Sequence, residues 1–203
     1  MIIRDLTAEE QHLEKVLRSE RFRLKEGLSN EVPFFIYPYP PHRELEVSEM
    51  RRRLVTRLQT NPPQVRVLEI NLYDLSVQVL KERSGDVWGR LLESEPGQDK
   101  QDFLDLLQGM LDPERHLAPA IRRVVDGREY DVVLLSGIAE VFPYIRSHNV
   151  LNNLQSVVTG CPLLVFFPGS YKQSDTVGSS LVLFDRLRDD QYYRAKNILS
   201  QEA

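Results

Sequence analysis

The sequence predicts an α/β fold: a three-layer Rossmann-like or degenerate P-loop-like domain, with a mostly parallel sheet of about five strands and an antiparallel edge strand. Three observations predict it. Short apolar and β-branched runs, Asp131 to Ser136 and Pro162 to Phe167 above all, read as strands buried on both faces. Stretches of helical period separate the strand runs, as parallel pairing requires. The residues from Gly169 to Ser179 carry no apolar stripe that could form a crossover helix, so Leu181 to Phe184 should return antiparallel across a long loop at one sheet edge.

The elements follow in order. Thr7 and Glu10 have the spacing of a capping box, and Leu13, Val16, Leu17 and Leu24 continue at helical spacing, which predicts one helix from Leu6 to about Lys25, ended by Gly27 and Asn30. Val32 to Tyr39 reads as a buried strand broken by Pro38, Pro40 and Pro41. Val47, Met50, Leu54, Val55 and Leu58 make one helical stripe, closed by Asn61, Pro62 and Pro63. Val65 to Ile70 is the next strand and Leu72 to Lys81 the next helix. The more polar segment 84–112 is expected to be a helical insertion in a single domain spanning 1–203. Asp112 and Pro113 form a helix cap and first residue, for a helix through Val125 that Gly127 ends. Gly137 permits a sharp turn after Ser136, a short helical turn stops at Pro143, and Ser147 caps a helix carrying Val150, Leu151, Leu154 and Val158.

With 203 residues, 41% of them hydrophobic, the chain can bury roughly 70% of its unfolded surface and needs no covalent staple. Its apolar runs are far shorter than the roughly 20 residues of a membrane helix, and Met1 to Glu10 lacks the apolar core of a signal peptide, so a cytoplasmic location is expected. A lone cysteine, Cys161, fits a reducing compartment and reads as a small buried hydrophobe. The net charge of −4 argues against a large phosphate-binding footprint. Arg51, Arg52, Arg53 and Arg57 form the densest basic cluster, either a solvated helix face or a local patch. Direct nucleic-acid binding would use Arg51, Arg52 and Arg57.

Chemistry-bearing motifs are sparse. The first strand runs into Tyr37, Pro38, Tyr39, Pro40, Pro41, His42 and Arg43, where a Walker A loop would need glycines and free amides. No GxGxxG is present, and neither Ser136 nor Ser170 sits in a nucleophile elbow. His12, His42, His116 and His148 lie on separate predicted elements without metal-ligand spacing, so no metal and no cofactor is expected. Two polar groups stand out: Arg146, His148, Asn149 and Asn152 at a helix start, and Tyr171 and Lys172 after the fourth strand. Both should lie at the carboxyl end of the sheet, where convergent polar groups suit a peptide, a partner loop or an anion, and where solvated loops are the plain alternative.

Residues 141–154 (VFPYIRSHNVLNNL), together with Leu163 to Lys172 and Leu181 to Asp185, resemble BrxB, a component of bacteriophage exclusion (BREX) systems. The resemblance covers nearly the whole chain. It implies a bacterial antiviral-defence role in systems whose enzymatic work falls to a methyltransferase, an ATPase and the phosphatase-like PglZ. BrxB has no assigned catalytic motif, so no catalytic residue is carried over. The role implied is that of a non-catalytic scaffold or adaptor acting by protein–protein contacts with other BREX proteins, PglZ first, with Arg146, His148, Asn149, Asn152, Tyr171 and Lys172 as the candidate partner-binding residues. The alternative is a nucleotide- or nucleic-acid-binding module with a degenerate nucleotide-binding fold.

Overall fold

In a computed structural model, residues 5–25, 33–174, 178–188 and 195–202 are described. Gly27, Asn30 and Val32 lie outside them. The chain divides into two compact units: Met1–Glu69 with Glu129–Ser136 and Val158–Ala203, and Ile70–Arg128 with Gly137–Val157.

The first unit is built on strand runs that are apolar without alternation. β1 (Phe34–Tyr39), β2 (Val67–Asn71, whose last two residues belong to the second unit), β3 (Val132–Ser136), β4 (Leu163–Ser174) and β7 (Lys196–Asn197) form the sheet in the order β2-β3-β4-β1-β7. β4 pairs parallel with β1 (Ile36 opposite Val165) and with β3 (Leu134 opposite Leu164). The topology is Rossmann-like α/β, as the sequence predicts. One sheet face, carrying Phe35, Tyr37, Tyr39, Val132, Leu134, Leu164 and Phe166, packs with α1 (Leu6–Arg18) and α3 (Glu44–Thr60) through Leu13, Leu17, Met50, Leu54 and Leu58. Tyr37 and Phe166 meet edge to face at 5.3 Å between centroids. The alternate residues Phe34, Ile36, Val133, Leu135, Val165 and Phe167 are buried too, as a sheet covered on both faces requires.

Four expectations are corrected. The N-terminal helix breaks at Ser19, which is extended (ψ 129°), and resumes as the short α2 (Glu20–Arg23). Its cap is Asp5, which accepts from the Thr7 N–H at 2.9 Å, rather than Thr7 with Glu10. Glu10 is 5% exposed and holds Arg53 at 2.9 Å and Arg57 at 2.7 Å across to α3, charge-assisted bonds stronger than a reach back to a backbone amide. Pro38 does not break β1: the strand runs on to Tyr39 in register with β4, Pro38 opposite Phe167, and among the described residues the β7 ladder engages Phe35 and Ile36 and asks no donor of Pro38. Finally, Gly169 to Ser174 is strand and not loop. β4 runs on past the parallel sheet and pairs antiparallel with β5 (Gly178–Leu183), which also pairs β6 (Leu187–Arg188). Main-chain bonding to β5 overrides the polar composition that suggests a loop.

The second unit is helical. Asn71 accepts from the Tyr73 and Asp74 amides to start α4 (Leu72–Lys81), and Asp86 caps α5 (Val87–Ser94) from a left-handed conformation. α6 (Lys100–Met110) starts at Asp99. As expected, Asp112 caps the next segment, a π turn at Pro113–Leu117 that leads into α7 (Ala118–Val125). α8 (Ser147–Val157) packs on α7 and on the π turn.

β2 is tied to β3 at its start. Arg66 donates its backbone N–H to Asp131 at 2.8 Å and a guanidinium N–H at 2.9 Å. That side-chain bond holds the Asp131 carboxyl below its ordinary range. With the folded value below the unfolded one, ionised Asp131 stabilises the fold above about pH 4 and loses that contribution as pH falls through the folded value. Asp131→Asn is therefore expected to cost about 1 kcal/mol at neutral pH and to flatten the acid limb of stability, read by urea unfolding across pH.

Candidate functional site

The segment that carries Arg146, His148, Asn149 and Asn152 begins where β3 ends. Gly137 has φ +80°, and a Cβ there would sit 2.6 Å from Asn71 Oδ1, the atom that caps α4. Glycine lets the chain pass this close to the helix start. Residues 138–145 then form turns anchored by buried Ile138, Val141 and Ile145, with Glu140, Phe142 and Pro143 exposed. The Phe142–Pro143 peptide is cis. Gln108 on α6 donates to the Pro143 carbonyl at 3.4 Å, and Tyr144 Oη donates to the Glu140 carbonyl at 3.4 Å. Burial pushes the Tyr144 phenol up to about 12, with the neighbouring Tyr73 adding to the shift.

Helix α8 separates its faces cleanly. Val150, Leu151 and Leu154 are buried, whereas Asn149 and Asn152, three residues apart and so neighbours on the helix surface, are exposed. Asn153 donates to the Asn149 carbonyl at 2.7 Å. Arg146, just before the helix, is exposed and its guanidinium has no partner among the described residues. Ser147 is buried as the first helical residue. His148 lies in the first turn, and its side chain, like that of Lys172, is outside those described.

Of the six residues singled out in sequence, Arg146, His148, Asn149 and Asn152 thus share one segment of the second unit, and Tyr171 and Lys172 fall in the first. Tyr171 lies in β4 and donates its hydroxyl to the Ala195 carbonyl at 2.6 Å, which fastens the β4–β5 hairpin to the chain just before β7. Sequence reasoning passed over Phe142, 36% exposed, and Tyr73, 43% exposed, which place aromatic surface in the same unit as the polar residues. The signal was available in the run Val141 to Tyr144, where Phe and Tyr flank Pro143 in a segment too short to bury both.

The basic cluster on α3 is largely consumed by the fold. Arg51 pairs with Glu69, Arg53 and Arg57 with Glu10, and Arg57 also with Glu14 at 2.9 Å. Arg52 is exposed and without a side-chain partner among the described residues. No set of three or more His, Cys, Asp or Glu side chains is arranged to hold a metal ion among the described residues. Cys161 is buried, and burial pushes its thiol up to about 11, so it stays protonated and packs as a hydrophobe. No helix among the described residues is long and apolar enough to cross a membrane.

Fold and site define an α/β protein with exposed aromatic and polar residues in the segment around one helix start. Comparison with known proteins gives the family. BrxB, described as BREX protein BrxB, matches over residues 68–198. The chain is 34% identical over 181 residues to the BREX protein BrxB of Bacillus cereus (strain H3081.97), covering 89% of this chain and 90% of that one. It is 28% identical over 179 residues to the BREX protein BrxB of Escherichia coli O9:H4 (strain HS), covering 88% and 84%. No solved structure matches. The chain belongs to the BrxB family, and its role lies in a bacterial BREX phage-defence system, in company with other BREX proteins.

Gly137→Ala tests whether the tight passage beside α4 holds this segment. The added Cβ enters the Asn71 cap and the left-handed φ becomes strained, for an expected loss of about 1–3 kcal/mol in urea unfolding. Unchanged stability would mean that the segment is not held against the helix start.

Proposed function

We propose that the chain is a non-catalytic scaffold or adaptor subunit of a BREX assembly, acting through protein–protein contacts, with PglZ as the first partner. The observation that carries this reading is the segment from Phe142 to Asn152, whose buried residues fix the backbone while Phe142, Pro143, Arg146, Asn149 and Asn152 remain exposed. Exposed aromatic surface beside an arginine is the composition of interface hot spots, and a packed helix presents it with little ordering cost on binding. The sequence, for its part, lacks the Walker A, GxGxxG and nucleophile-elbow spacings that an enzymatic role on this fold would use. A nucleic-acid reading through α3 draws less support, because Arg51, Arg53 and Arg57 already neutralise carboxylates of the same chain.

Co-purification with the other operon products should recover a stable complex containing PglZ. A chain that remains monomeric beside all of them sinks the scaffold reading. The double variant Arg146→Ala with Asn152→Ala should lose partner capture by about tenfold or more and abolish defence, with stability unchanged to within about 0.5 kcal/mol. A collapsed melting transition would instead assign these side chains to the fold.

A further inference from the structure

We propose that the second unit carries a binding site for a phosphate-bearing small molecule of about mononucleotide size, in the recess formed by the ends of α4 and α5, the π turn and α7. The recess holds about 510 Å³, within the range of small-molecule sites. Its polar lining is cationic: Arg83, Arg115 and Arg123 face a single acidic side chain, Glu82, which is already paired with Arg123 at 3.2 Å. Asp112, just before the π turn, is engaged in accepting the Glu114 and Arg115 amides.

Each cation is placed differently. Arg83 is anchored by Nη2 on the Met110 carbonyl at 2.5 Å, while its Nε is buried with no hydrogen-bond partner. The Met110 anchor holds this guanidinium in the wall of the recess. Arg115 is exposed and its guanidinium has no partner among the described residues. His116 lines the same recess, and burial followed by the charge of Arg83 holds its imidazole below the ordinary histidine range, so near neutral pH it can donate one N–H without adding charge. Val79, Val87 and Pro119 supply apolar wall for the body of a ligand. Planar guanidinium forks match phosphate oxygens, and a recess that combines them with apolar wall favours a small phosphorylated molecule over a bare ion. A long polyanion fits less well, since the chain carries a net charge of −4 and these arginines line a recess rather than a stripe.

The test is calorimetric titration and thermal shift of the full chain with pyrophosphate, AMP and adenosine. AMP and pyrophosphate should bind saturably and raise the melting temperature, and adenosine should do neither. Arg115→Ala, at an exposed position, should leave the ligand-free melt unchanged and weaken AMP by about tenfold, with Arg115→Lys recovering part of the loss. Arg52→Ala, on the exposed face of α3, should change nothing. Absence of saturable binding up to roughly 10 mM would overturn the proposal. So would an equal loss in Arg52→Ala, or capture of a DNA duplex or an acidic peptide through Arg115 without AMP binding.

Discussion

The structure depends on one strand that serves two sheets. β4 lies between β1 and β3, and its first residues are apolar at every position because neither face can meet water. Beyond Pro168 the same strand leaves its parallel neighbours and pairs with β5. Gly169 stands at the change of partner: a Cβ there would lie 2.1 Å from the Val182 carbonyl oxygen, so only glycine lets the two backbones approach. The hairpin is in turn fixed by the Tyr171 hydroxyl on Ala195, directly before β7 pairs with β1. The change of partner at Gly169 therefore has a structural cause, and the Tyr171 hydroxyl has a structural role in fastening the hairpin.

Charge inside the first unit follows a similar economy. Glu10 is buried on α1, and a carboxylate removed from water is tolerated only with cations to meet it. Arg53 and Arg57, one helical turn apart on α3, supply them, and Arg18 adds bonds to Glu14 and to the carbonyls of Arg57, Asn61 and Pro63. The effect is to set the register of α1 against α3 with ionic contacts at the rim of an apolar interface. An arginine-rich stretch that reads in sequence as a solvated helix face or a local basic patch is thereby mostly an internal fastening.

How much of this was legible depends on the range of the interaction involved. Periodicity and caps are local, so α3, α4, the Asp112 cap and β3 stand in the structure close to where the sequence places them. The polar start of α8 and the turn before it were readable for the same reason. What could not be read locally was decided by partners far along the chain. Glu10 looks like a capping residue until Arg53 and Arg57 are brought to it, and Gly169 to Ser174 looks like a loop until β5 supplies the ladder. β7 is only two residues long and exists because β1 has an open edge beside Phe35 and Ile36. Arg83, Arg115 and Arg123 sit on three separate elements and each reads alone as a solvated charge.

Each unit leaves some of its cations unsatisfied, but on different terms. On α3 most cations already have a carboxylate of this chain within hydrogen-bond distance, so a ligand there would have to displace an internal pair before gaining anything. In the second unit Arg115 and Arg146 have no such pair among the described residues, while a buried guanidinium N–H without a hydrogen bond occurs in both units, at Arg83 and at Arg23. A ligand meeting Arg115 or Arg146 would add bonds without first breaking any. Recognition at Arg115 or Arg146 would therefore meet less internal competition than on α3, where most of the charged groups hold the chain's own elements together.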